Sequence, residues 1–117
     1  MTEATPQQDN PVFQEIEDAV NNNDVVLFMK GTKDQPQCGF SQLAVQALSL
    51  SGVEDFKDID VLAREEIRQG IKDFNNWPTI PQLFVKGEFV GGADIIKDMY
   101  GSGEFQEMLQ EKGVVSA

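Results

Sequence analysis

Val25-Val26-Leu27-Phe28-Met29 is the longest unbroken apolar run in the chain, and no other feature narrows the fold as much. It is far too short to span a membrane. It also lacks the polar alternation of a strand with one wet face. A strand of this kind must be covered on both sides, as central strands are when helices flank a sheet.

The remaining pattern supplies the cover. Asn10-Pro11 pairs an N-cap with a first-turn proline, and Val12, Phe13, Ile16, Ala19 and Val20 form a helical stripe ending at Asn21-Asn22-Asn23-Asp24. After a polar loop from Gly31 to Gln37, a second helix is expected to follow Cys38, to bury Leu43, Ala44, Ala47 and Leu48, and to stop at Gly52. Phe56 to Val61 reads as a short strand, and Ala63, Ile67, Ile71 and Phe74 mark a third helix that Asn75-Asn76-Trp77-Pro78 breaks. Gln82 to Lys86 and Glu88 to Val90 flank Gly87 in a tight hairpin. Gly91-Gly92 opens a fourth helix bearing Ile95, Ile96, Met99 and Tyr100, and a fifth carries Phe105, Met108 and Leu109. Strands alternating with helices and closing in a hairpin predict an α/β fold. Its four-stranded mixed sheet is flanked by about five helices in three layers. The 117 residues suffice for one domain, expected over 10–117, with residues 1–9 as a flexible polar tail.

Charge and cysteine usage exclude several functions. Twenty Asp and Glu against nine Lys and Arg leave a net charge of −11, which repels phosphate backbones and anionic lipid, so neither nucleic acid nor membrane is an expected partner. The first ten residues hold no basic region and no apolar run, so neither a signal peptide nor a transit peptide is expected. One Cys and no His rule out an intrachain disulfide, the usual Cys/His zinc site, and the Ser-His and Cys-His pairs of hydrolases.

Cys38 falls where strand, loop and helix meet. A thiol at a helix N-terminus faces unpaired backbone N–H groups and the positive end of the helix dipole, and both favour thiolate. Lys30, at the end of the preceding strand, adds positive charge. The commoner fate of a lone Cys is to fill space in a core. The neighbours Pro36, Gln37, Gly39 and Ser41 do not form a core environment, which favours an acting thiol, usable as a catalytic nucleophile or as a metal ligand.

Three segments then carry a resemblance. Lys30-Gly31-Thr32 through Gln35-Pro36-Gln37-Cys38-Gly39-Phe40-Ser41, Trp77-Pro78-Thr79-Ile80-Pro81-Gln82, and Gly91-Gly92-Ala93-Asp94 stand in order and at the spacing of the monothiol, CGFS-type glutaredoxins, which the chain resembles over about residues 12–113. The resemblance implies a thioredoxin fold, glutathione binding, and a [2Fe-2S] cluster shared between two chains. Such a cluster takes four thiolates. Each chain has one Cys, so a homodimer brings two, and two glutathione thiols complete the set. Ser41 stands where dithiol relatives carry a resolving Cys, which removes a competing internal disulfide.

The same resemblance assigns roles to the glutathione-binding residues. It sets Lys30 and Lys72, with Arg68 close by, near the glycyl carboxylate, although Arg68 and Lys72 also fit a solvated helix face. Thr79, Ile80 and Pro81 would hold the cysteinyl backbone in strand-like hydrogen bonds, with Pro81 in the cis form. Gly92, Ala93 and Asp94 begin a helix whose free N–H groups suit the γ-glutamyl carboxylate, and Asp94 would accept from the ammonium. Without the family, Asp94 reads as an ordinary N-cap and Gly91-Gly92 as a turn. Phe40 lies against the ligand in the family, whereas Trp77 reads more as packing than as contact. Many members have a second cysteine where this chain has Ala93, so a disulfide between that position and Cys38 does not form here.

The favoured function is a carrier that passes its cluster to apo iron–sulfur acceptor proteins. The alternative is a glutathione-dependent oxidoreductase acting through Cys38, with at most weak activity. Pairing with a BolA-like protein is compatible with the first. Exposed thiol chemistry requires a reducing compartment, so the cytoplasm is expected, with a processed organellar matrix form as the alternative.

Overall fold

Asn10 and Pro11 start the first helix as their chemistry dictates. The Asn10 side chain accepts the Val12 N–H at 2.9 Å, and Pro11, which lacks an N–H, is the first residue of α1 (Pro11–Asn22). The structure, a computed structural model, describes residues 10–116; the tail expected over residues 1–9 lies outside the described residues. The remaining elements are β1 (Val25–Met29), α2 (Gly39–Leu50), β2 (Lys57–Asp60), α3 (Glu65–Asn75), β3 (Gln82–Val85), β4 (Glu88–Gly91), α4 (Ala93–Ser102) and α5 (Glu104–Glu111).

The four strands form one mixed sheet in the order β2-β1-β3-β4. β1 runs parallel to β2, with Val26 opposite Lys57 and Met29 opposite Asp60. It runs antiparallel to β3, with Val25 opposite Val85 and Phe28 opposite Gln82. The hairpin partners β3 and β4 are antiparallel, with an irregularity at Leu83 and Phe84. The reading of an α/β fold with a four-stranded mixed sheet is therefore correct, and the five helices among the described residues pack in layers on both faces.

Every residue of β1 is buried, and side-chain alternation sends them to two cores. Val25, Leu27 and Met29 join Leu83 and Val85 against Ala44, Ala47 and Leu48 of α2, Ile96 of α4, and Phe105 and Leu109 of α5. Val26 and Phe28 join Phe84 on the other face, against Ile16 and Val20 of α1 and Ile67 and Ile71 of α3. On this second face α1 comes so close to α3 that a Cβ at Gly70 would lie 2.5 Å from Val12 Cγ1. Among the described residues no helix is long and apolar enough to cross a membrane.

The structure corrects several details of the sequence reading. Ala63 is exposed and precedes α3, because Leu62 and Ala63 turn back onto the Asp60 carboxylate and carbonyl. Leu43 is only half-buried, and the buried stripe of α2 includes Ser41 instead. On α4 only Ile96 is buried; Ile95 and Tyr100 face solvent. The hairpin turn has positive φ at Lys86 as well as Gly87 (53° and 82°), the pattern of a two-residue turn matched to strand twist. Lys86 tolerates this while its N–H bonds Asp24 O at 2.7 Å.

Candidate functional site

Cys38 is the N-cap of α2, with extended backbone at φ −153° and ψ 158°. Its Sγ accepts the Ser41 N–H at 3.3 Å and lies 3.4 Å from Ser41 Oγ. Ser41 is fully buried, and its Oγ accepts the Lys30 N–H at 3.0 Å. With its lone pair so engaged, the Ser41 hydroxyl is free to point its proton at the sulfur. Partial burial pushes the Cys38 thiol up, but the Ser41 hydroxyl, the N–H groups of Ser41 and Phe40, and the Lys30 charge together outweigh it. The result is a thiol held below its ordinary value.

The loop from Gly31 to Gln37 delivers Cys38 to that cap. Gln37 N–H bonds Lys30 O at 2.8 Å, and Thr32 and Gln35 exchange backbone hydrogen bonds in both directions. Gly31 has φ 89°, and a Cβ there would strike the Gln35 carbonyl oxygen, so glycine is required.

Beside this turn is a cavity of about 430 Å³. Lys30 and Phe40 line it from the Cys38 side, and Arg68 and Lys72 line it from α3. Trp77, Pro78, Thr79 and Ile80 contribute the loop before β3, and Gly92 to Ile95 contribute the start of α4. Cys38 is not itself among the lining residues. Phe40 is 63% exposed at the mouth of the cavity.

Buried Gln82 holds the loop before β3. Its Nε2 donates to Trp77 O and Thr79 O, each at 3.1 Å, and its Oε1 accepts from Asn75 Nδ2 at 3.1 Å. The loop opens where Asn76, in the left-handed region at φ 51°, ends α3. The Ile80-Pro81 bond is cis, as the family resemblance implies; Pro81 is buried and does not line the cavity. At the start of α4, a Cβ on Gly92 would sit 3.3 Å from both Pro81 O and Trp77 Nε1. Any side chain at Gly92 would press on the loop, so α4 begins in tight contact with it.

Three cations, one carboxylate and a helix N-terminus thus line a single cavity. That set suits a small ligand carrying carboxylates and an ammonium. Of the expected glutathione residues, Lys30, Phe40, Arg68, Lys72, Thr79, Ile80, Gly92, Ala93 and Asp94 all line it. Arg68 also pairs with exposed Glu65 at 3.4 Å.

The Glutaredoxin family profile matches residues 25–90, from the start of β1 into β4. A monothiol glutaredoxin of Synechocystis is 58% identical over 95 residues, which is 81% of this chain and 88% of that protein. This chain belongs to the monothiol glutaredoxin family. The mitochondrial monothiol glutaredoxin-5 of Schizosaccharomyces pombe is 52% identical over 100 residues, covering 84% of this glutaredoxin and 68% of the yeast protein. The solution structure of reduced poplar apo GrxS14 matches it with a TM-score of 0.75 at 46% identity, over 87% of this chain and 93% of the poplar one. The fold of this glutaredoxin is accordingly the thioredoxin fold.

Trp77 lines the cavity and packs edge-on against Phe89 at 5.0 Å, the packing expected of it. Sequence reasoning missed two features of the site. Gln82 announced itself only as a polar residue heading the apolar run Leu83-Phe84-Val85. The sequence shows Ser41 only as the residue in place of a thiol, and its own hydrogen bonds depend on Lys30 and Cys38. Among the described residues of this glutaredoxin, no group of three or more His, Cys, Asp or Glu is arranged to hold a metal ion.

Proposed function

We propose that this monothiol glutaredoxin carries a [2Fe-2S] cluster between two chains, ligated by two Cys38 thiolates and two glutathione thiolates, and passes it to apo acceptor proteins. The observation that carries the reading is a single thiol, held below its ordinary value, beside a cavity lined by three cations, one carboxylate and a helix N-terminus. The donor set fits: one soft thiolate per chain is a suitable iron ligand, and the adjoining cavity suits the tripeptide that supplies the second. Lys30, Arg68 and Lys72 would meet the glycyl carboxylate. Thr79, Ile80 and Pro81 would hold the cysteinyl backbone, and Gly92, Ala93 and Asp94 the γ-glutamyl end. Because half the ligands are diffusible, the cargo can leave by ligand exchange.

Cargo loading is tested by anaerobic incubation with iron, sulfide and glutathione. A coloured dimer with one cluster per two chains supports the proposal; a colourless monomer contradicts it. We further propose a reducing compartment, the cytoplasm or an organellar matrix, and a BolA-like protein as an alternative partner across the cluster. Pull-down with and without cluster checks that pairing.

The activated thiol favours a second reading, glutathione-dependent disulfide exchange. Cys38 thiolate would attack the glutathione sulfur of a mixed disulfide and expel the target thiol. A second glutathione would then release oxidised glutathione and restore Cys38. Turnover comparable to dithiol glutaredoxins in a mixed-disulfide assay would establish this as the main activity.

A further inference from the structure

The hold on Cys38 extends to a carboxylate on the edge strand, Asp60. Asp58 and Asp60 are two residues apart on β2, so both side chains leave the same face of that strand. Both end on backbone N–H groups of the loop that leads to Cys38. Asp58 Oδ2 accepts from Lys33 N–H at 2.8 Å, and Asp60 Oδ1 accepts from Gly31 N–H at 2.9 Å. Lys33 adds a bond from Nζ to Phe56 O at 3.2 Å and lies 5.0 Å over the Phe56 ring.

The Gly31 contact matters most because of the peptide unit it belongs to. The N–H of Gly31 and the C=O of Lys30 lie in one plane. The N–H end is fixed by Asp60. The C=O end accepts from Gln37 N–H at 2.8 Å, immediately before Cys38. The next N–H upstream, that of Lys30, bonds Ser41 Oγ, which lies against Cys38 Sγ. Gly31 has no Cβ and sits at positive φ, so this plane is free to turn unless both ends are held.

We propose that Asp60 is a positioning residue for Cys38. By clamping the Lys30-Gly31 peptide it aims the Lys30 carbonyl at Gln37 and fixes the N-cap geometry of the thiol, without touching the cavity or the sulfur. Asp60 Oδ1 also accepts from Leu62 N–H at 2.9 Å, so a purely local role in the turn after β2 is the competing account. The inference concerns how Cys38 is held and does not depend on what Cys38 binds.

The test compares Asp60→Ala with Asp60→Asn, because Asn keeps the acceptor oxygen while removing the charge. Amide hydrogen exchange on the full chain reads the clamp directly. Asp60→Ala is expected to speed exchange at Gln37 and Ser41 by tenfold or more over Asp60→Asn, with core amides such as Leu27 unchanged, and to slow Cys38 alkylation at neutral pH about threefold. Asp60→Asn should match the unmodified chain in exchange. Equal exchange at Gln37 in the two variants, or acceleration confined to Leu62 and Ala63, overturns the proposal. Should Asp60→Ala fail to fold, the unmodified chain still decides. Its Gly31 amide must be as protected as that of Val61, which bonds Met29 O at 2.9 Å; a freely exchanging Gly31 contradicts the clamp.

Discussion

Ser41 Oγ accepts the Lys30 N–H at 3.0 Å while lying 3.4 Å from Cys38 Sγ, so one buried hydroxyl joins the end of β1 to the thiol. Ser41→Ala removes both contacts. The midpoint of pH-dependent Cys38 alkylation should move upward. Urea unfolding should show a loss of about 1–2 kcal/mol, because a buried N–H loses its acceptor. An unchanged midpoint would mean that the helix N–H groups and the Lys30 charge activate the sulfur without the hydroxyl.

Cys38 also makes stability depend on pH with a definite sign. Its folded value lies below the ordinary thiol value, so the folded state favours the thiolate form. The contribution is therefore full above the unfolded thiol value and is lost as pH falls through the lower folded value. The difference in urea midpoint between the natural chain and Cys38→Ser should grow as pH rises through that interval. A difference that is flat with pH would contradict the activated thiol.

Lys72 lines the cavity from the last turn of α3, and its charge is expected to meet a ligand carboxylate. Lys72→Ala should weaken glutathione binding about tenfold in a calorimetric titration at low salt. The loss should shrink as ionic strength rises. Affinity that is indifferent to both changes would remove Lys72 from the site.

Gly70 sets the approach of α1 to α3. Gly70→Ala gains about 1 kcal/mol of helix propensity, but its Cβ would meet stiff, β-branched Val12 Cγ1 at 2.5 Å. Overpacking costs about 1–3 kcal/mol. A net loss of about 1 kcal/mol should appear as a lower thermal midpoint, and Val12→Ala in the same chain should restore it.

Much of this architecture is written locally in the chain. The run Val25 to Met29 specifies a doubly covered strand, Asn10-Pro11 a helix start, Gly87 a hairpin, and the position of Cys38 a helix cap. These depend on residues a few places apart, and periodicity reports them faithfully. What escaped reading depends on contacts between distant segments. Nothing near Ser41 announces that its hydroxyl meets Lys30, and nothing near Asp60 announces Gly31. Ile95 and Tyr100 fit the helical stripe of α4, but only Ile96 is enclosed, in a core shared with β1, β3, α2 and α5. Lys86 at positive φ is invisible without Asp24 O beside its amide. Trp77 could be recognised as a loop aromatic, yet whether it lines a cavity is decided by where Gly92 allows α4 to begin.

The central claim is that one thiol per chain and a diffusible tripeptide together hold the cargo. Anaerobic loading should therefore be followed by visible absorption and sedimentation for the natural chain with glutathione, the natural chain without it, and Cys38→Ser with it. The account predicts colour and a dimer in the first sample only. Equal iron and sulfide retention in either of the other two would contradict it.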